Sequence, residues 1–366
     1  MKIAIVTPGG VGANGTDGVI PALVWLLERL ASRHEVHVFA FNQVADPATW
    51  TLGGAAVHNV GSARAWRRRL LSAFGEEHQR APFDVIHAFF GWGGTSAALL
   101  RARHRIPVVL HLAGGELVDM PDIAYGMRAS LRGGLELRIA IAGARRVTVA
   151  TPFMHALAAE QGIDARIVPL GVALDRWPPR APRRRDLSEP LRVLHIGDLR
   201  PVKDQPMLLA AMRALGERGV NAELDVCGLD TMGGTLQRSV DAALAWCVRW
   251  HGHADRGILR GMMERADVLV VTSRHEAGPV AVLEAAVAGV PTVGTAVGHI
   301  ADWSPDAAWS VRVGDATALA DALARLARDE DARLALAHEA QRRALAIDAD
   351  HTAAAFEQVY HEMTES

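Results

Sequence analysis

TSRHEAGPVAVLEAAVAGVPTVGT, from Thr272 to Thr295, packs a strand end, a glycine turn, an apolar helix and a second strand into 24 residues. Two glutamates punctuate it, Glu276 in the loop and Glu284 inside the helix, with seven residues between them. Val282, Leu283, Ala285 and Ala286 surround Glu284 with apolar side chains. A helical glutamate is most often a solvated surface residue, but a carboxylate on an almost wholly apolar turn needs a partner for its charge. A ribose diol is one group that satisfies it.

Outward from this unit, short β-branched runs alternate with longer helical segments, the pattern of parallel sheets covered by helices. Toward the N-terminus the runs are residues 3–6, 36–41, 85–88, 108–112, 146–151 and 166–169, with a helix expected from about Gly18 to Ser32. The first Rossmann-like domain is therefore residues 1–171. In residues 175–190, DRWPPRAPRRRDLSEP, four prolines and clustered arginines break all periodicity, so 172–190 reads as a linker. Runs at 191–197, 222–227, 268–272 and 291–294 rebuild the pattern as a second doubly wound domain, 191–345. From Thr317 onward the spacing is helical throughout, and the last helix, within 346–366, is a candidate for crossing back to the first domain.

The 366 residues suit two cores rather than one. With 39 basic and 41 acidic residues the net charge is −2, which supplies no field for nucleic acid. Cys227 and Cys247 lie in no metal-like or redox spacing. The opening MKIAIVTPGG is too short in its apolar run for a signal peptide, and no stretch reaches the roughly 20 apolar residues of a membrane span. A cytoplasmic protein is expected, with a candidate peripheral contact on the inner face of the membrane through residues 63–74. There four arginines interleave with Trp66, Leu70, Leu71 and Phe74, the pattern of a helix on anionic lipid or of an ordinary surface helix.

Two motifs are decoys. Gly10, Gly12 and Gly15 spell GxGxxG after the first strand, but the second strand closes on Phe39-Ala40-Phe41-Asn42, without the ribose-reading acid of a nicotinamide enzyme. Gly15 and Gly18 remain candidate ligand contacts on a glycine loop ahead of a helix. Asp348-Ala349-Asp350 has the look of a metal-binding signature but lies among C-terminal helices, where Asp350 reads as a helix cap before Thr352.

The glutamate pair, with GVALDRW at 171–177, HIGDLRPVKDQPMLL at 195–209, RADVLVVTSRHE at 265–276 and VGDATALADAL at 313–323, resembles the retaining glycosyltransferases of family 4. The resemblance covers nearly the whole chain and is specific in its second half. It implies a GT-B fold, a nucleotide diphosphate sugar as donor, an acceptor hydroxyl on a glycan, lipid-linked or small molecule, and no cofactor or required metal. By motif position, Glu276 meets the donor sugar and Glu284 the ribose, while Gly197 and Lys203 face the diphosphate with Gly278 and Val280 at the helix start.

Three departures qualify it. Asp198 stands where the family usually has arginine, which leaves Arg200 as the candidate second cation. Ala277-Gly278-Pro279 replaces a Gly-Phe-Gly loop. Ala113 occupies the position of a histidine, so His111, two residues earlier, is either a site residue or a core residue, and Gly114 a candidate contact. A sugar-nucleotide epimerase of the same fold and a non-catalytic nucleotide-sugar-binding relative are the competing readings. The glutamate pair speaks against the first, and the departures leave the second open.

Overall fold

The computed structural model describes residues 1–365. They form two units: Met1–Ala173 together with the chain from Ile347 onward, and Leu174–Ala346.

The first unit contains β1 (Lys2–Thr7), β2 (Glu35–Ala40), β3 (Ala48–Leu52), β4 (Ala55–Asn59), β5 (Val85–Phe89), β6 (Val108–Leu112), β7 (Arg146–Val149) and β8 (Ala165–Ile167). They lie in the order β3-β4-β2-β1-β5-β6-β7-β8. Every neighbouring pair is parallel except the β3–β4 hairpin. All six residues of β1 are buried, as expected for a strand covered on both faces. The first helix starts at Pro21 rather than near Gly18, because proline at the first helical position needs no hydrogen-bond partner for a missing N–H.

The helix Trp66–Arg80 turns Leu70 and Phe74 into the core, and Trp66 stacks on Phe41 with ring centroids 4.3 Å apart. Leu70 and Phe74 of residues 63–74 are thus used within the domain, while Arg64, Arg67 and Arg68 are exposed. No described helix is long and apolar enough to cross a membrane.

The final helix, Ala349–Thr364, packs in the first unit. Tyr360 meets His87 at 2.6 Å, Glu357 pairs with Arg33 at 2.9 Å, and Thr352 accepts from the Gly171 amide at 2.8 Å. Its cap is Asp348, which accepts from the His351 amide, and not Asp350, which pairs with Arg29 at 3.4 Å.

The second unit contains β9 (Leu191–Ile196), β10 (Ala222–Cys227), β11 (Val248–Gly252), β12 (Val268–Val271), β13 (Thr292–Thr295) and β14 (Ala308–Val311). The order is β11-β10-β9-β12-β13-β14, all parallel. From β9 the chain winds outward through β10 and β11, then returns to β12 on the other side. The order therefore reverses between β9 and β12, and the crevice beyond their carboxyl ends is where ligands of open α/β sheets bind. Leu208, Leu215, Leu224, Val270, Leu319 and Leu323 belong to the core of this unit.

The Pro/Arg-rich segment 175–190 is fastened to this unit. Arg333 and Glu330 pair in the interior, the Glu330 carboxylate accepts the Arg185 amide at 2.8 Å, and Arg183 reaches Asp267 at 2.7 Å. The Arg333–Glu330 pair is buried on both sides, and removing one partner from such a pair costs about 3–5 kcal/mol.

Candidate active site

At the reversal point two loops meet. Beyond β9, residues 197–200 lead into the 3-10 turn Pro201–Lys203 and then the helix Gln205–Glu217, capped by Asp204. Beyond β12, residues 272–279 lead into the helix Val280–Val287. The loops are tied together through main-chain groups: Thr272 donates to the Lys203 carbonyl at 2.8 Å and the Arg274 amide to the Val202 carbonyl at 2.7 Å. Lys203 sits in the turn just ahead of the α-helix, so its stem is held by both loops.

Its ammonium donates to Glu276 Oε1 at 2.5 Å, and the Ser273 hydroxyl donates to the same oxygen at 2.6 Å. Lys203 and Glu276 are only 23% and 15% exposed, so their attraction is screened less than that of a surface pair. Gly197 lies under this lysine: a Cβ there would sit 3.4 Å from Lys203 Cδ and Cε. Gly298, with φ of +48°, closes the other side, where a Cβ would come within 2.8 Å of Pro279 Cδ and 3.1 Å of the Glu276 carbonyl. Gly278 and Val280, both half-buried, form the entry to the helix.

Two of the departures find a physical account here. Asp198 does not aim its acid at the lysine, because Oδ1 accepts the Leu229 amide at 3.0 Å and its carbonyl accepts from Gln205 at 3.0 Å. Arg200 is exposed, in solvent rather than packed against the pair. Pro279 is the residue immediately ahead of the helix, so its missing N–H costs no intrahelical bond.

Glu284 is buried, 7% exposed, four residues into its helix, and its carbonyl accepts the Trp177 indole N–H at 3.0 Å. Burial pushes its carboxyl up to about 7, against the opposing pull of the Arg256 charge. The unfolded carboxyl titrates near 4.5, so the folded state holds the extra proton between these values. Stability from this group is full below 4.5 and is lost as pH rises toward 7. Glu284→Gln removes the titration. Its stability relative to the unsubstituted protein, followed by melting temperature, should climb between pH 5 and pH 8 toward a limit on the order of 3 kcal/mol; a difference flat with pH contradicts the buried carboxyl.

Several contributors are invisible to motif reading. His195 is buried with its Nδ1 donating to the Val270 carbonyl at 3.0 Å, while Gln205 approaches its Nε2 at 3.3 Å. Burial is the main force holding this ring down to about 4, so it is a neutral prop beneath the lysine loop. Ser273 and Thr272 also belong here through Glu276 and the Lys203 carbonyl, and the Arg256 charge acts on Glu284. Polar side chains at the ends of buried strands were the available signal.

The remaining sequence candidates belong to the first unit. His111 lies in the core of its sheet, in keeping with the second of its two readings. It is wholly buried, its Nδ1 meets Thr148 Oγ1 at 2.9 Å, and Phe89 and Phe356 flank the ring. Burial pushes it down to about 3, so the ring is neutral near pH 7. The Gly114 amide donates to the buried Glu116 carboxylate at 2.8 Å. Gly15 and Gly18 adopt left-handed conformations in a loop knitted internally, with Gln43 donating to the Gly18 carbonyl at 3.1 Å.

Comparison with known proteins bears on the family and the fold. Residues 181–343 match the family described as glycosyl transferases group 1, and residues 17–173 the glycosyl transferase 4-like domain. D-inositol 3-phosphate glycosyltransferase of Corynebacterium jeikeium is 27% identical over 77% of this chain and 73% of its own. Glycogen synthase of Mycobacterium tuberculosis is 24% identical over 75% of this chain and 64% of its own. Among solved structures, sucrose-phosphate synthase from Thermosynechococcus elongatus superposes with a TM-score of 0.82 at 20% identity, covering 99% of this chain and 98% of that one. HepE from Anabaena, solved in complex with UDP and glucose, gives 0.75 at 16% identity over 99% and 100%. With the two matched regions spanning most of the sequence and both sheets of the GT-B class in place, the chain belongs to the group 1 glycosyl transferases and is a glycosyltransferase.

Proposed function

We propose that the second unit binds a nucleoside diphosphate sugar and that the enzyme moves its sugar, with retention of configuration and without a metal, to an acceptor hydroxyl. The observation that carries this is the Lys203–Glu276 pair at the reversal point, beside a helix holding a buried, ionisable Glu284. Lys203 supplies positive charge where a diphosphate leaves, and charge placed ahead of the reaction lowers the barrier without reorganisation. Glu276, also held by Ser273, is fixed to accept hydrogen bonds from sugar hydroxyls. Glu284 accepts from the ribose diol, and Gly197, Gly278 and Val280 offer backbone close to the phosphates and sugar. The leaving diphosphate takes the acceptor proton on the face it departs from, so no separate protein base is required.

Because Glu284 binds the diol as a carboxylate, donor affinity rises with pH through about 7. Metal independence predicts that turnover persists in excess chelator; a strict need for added manganese contradicts it. A thermal-shift panel of UDP, GDP, ADP and their sugars tests the donor class. A ligand at about 100 times its Kd adds roughly 2.7 kcal/mol to the folded state, so at least one member should raise the melting temperature. A panel without effect removes the proposal.

A further inference from the structure

Away from the loops just described, three side chains on three elements of the first unit converge. His37 on β2, His58 on β4 and Glu77 on the helix Trp66–Arg80 place ligand atoms within 4.8 Å of one another. His37 Nδ1 lies 3.0 Å from His58 Nε2 and 3.8 Å from Glu77 Oε2. We propose that this cluster is a binding site for a first-row divalent transition metal, with zinc the best fit, which pins the helix to the sheet.

The hydrogen-bond pattern prepares the ligand atoms. Glu35, on the same strand as His37, accepts from His37 Nε2 at 2.9 Å. A carboxylate only accepts, so Nε2 carries the hydrogen and the neutral ring keeps its lone pair on Nδ1, toward the cluster. This is the carboxylate–histidine arrangement that orients metal-binding imidazoles and raises their basicity. The two rings are nearly parallel, their planes 3° apart. Without metal, one ring nitrogen donates to the other.

Tetrahedral zinc at about 2.0–2.1 Å from each nitrogen needs them roughly 3.3 Å apart. The rings have to tilt and separate by a few tenths of an ångström, which a half-buried His58 allows. Two imidazoles and one carboxylate leave a fourth position for water, a donor set that suits zinc over calcium or magnesium.

The local charge is balanced before a cation enters. Lys2 pairs with Glu35 at 3.2 Å, and Arg80 takes Glu77 Oε1 at 2.5 Å, leaving Oε2 facing His37. Metal binding at His58 Nε2 shifts the hydrogen of that neutral ring to its Nδ1, a change of tautomer with no net loss of a proton. None of these residues is used in the proposed transfer chemistry, so failure here leaves that proposal standing.

The test is titration of the full-length, metal-stripped protein with cobalt and zinc. The unsubstituted protein should gain visible d–d absorption with cobalt at one equivalent, displaced by zinc, and a higher melting temperature with either metal. His58→Gln, with circular dichroism confirming its fold, should lose the absorption, and Glu35→Gln should weaken binding by roughly 10–100-fold. Should His58→Gln not fold, zinc X-ray absorption on the unsubstituted protein decides, with two imidazoles in the first shell expected. Equal metal uptake by the unsubstituted protein and His58→Gln, or a shell without imidazole, overturns the site.

Discussion

Lys203→Ala slows sugar transfer by roughly 10²–10³-fold, the cost typical of removing one preorganised donor from a developing negative charge. The loss falls on both binding and turnover, because the ammonium faces the diphosphate in the bound donor and still more in the leaving group. The substitution also leaves Glu276 with Ser273 as its remaining bonded partner of the present pair, so an uncompensated carboxylate faces the phosphates. Nucleoside diphosphate binding therefore weakens together with turnover. Steady-state turnover and diphosphate titration measure the two losses, and a variant near normal in both refutes the role of this lysine.

Glu276→Gln behaves differently. The variant loses the charged acceptor for the sugar hydroxyls, worth up to about 3 kcal/mol, or roughly 10²-fold in rate. At the same time it releases Lys203 from its 2.5 Å partner. Binding of a nucleoside diphosphate without sugar is then unchanged or tighter while transfer falls. This divergence separates a sugar-orienting carboxylate from one that merely holds the lysine in place. Parallel losses in both measurements contradict the assignment.

Buried parallel strands were legible because they carry continuous apolar runs, and β6 and β10 fall on the residues read from the sequence. What escaped were the β3–β4 hairpin and the strands β11 and β14. β3 is exposed along four of its five residues or half-buried there, so it lacks an apolar face to read. Its turn did carry a signal: Gly53 and Gly54, at φ of +57° and +88°, stand between two short runs as a hairpin requires. β11 and β14 close the two edges of the second sheet, short runs of which only Trp250, Trp309 and Val311, with the buried Val248 and Ala308, turn to the core.

Within the site, residue types were legible and side-chain directions were not. By residue type the acid at Asp198 is a repulsive neighbour for phosphate, whereas in the fold its carboxylate accepts the Leu229 amide. His111 could be placed on an apolar strand, but the Phe356 ring that seals it comes from the final helix. Glu284 shows the reverse: a carboxyl among apolar neighbours was a sound reason to expect burial, and its side chain is buried. The Arg256 charge it feels comes from a separate helix start, beyond the reach of local spacing.

The central claim is that Lys203, Glu276 and Glu284 bind one nucleoside diphosphate sugar. A crystal structure with whichever nucleotide sugar the thermal-shift panel selects tests it most directly. The diphosphate should lie against Lys203 and the Gly197 loop, with sugar hydroxyls on Glu276 and both ribose hydroxyls within hydrogen-bond distance of the Glu284 carboxylate. A nucleotide bound elsewhere, with Glu284 still enclosed by protein and Lys203 still paired only to Glu276, would contradict the account.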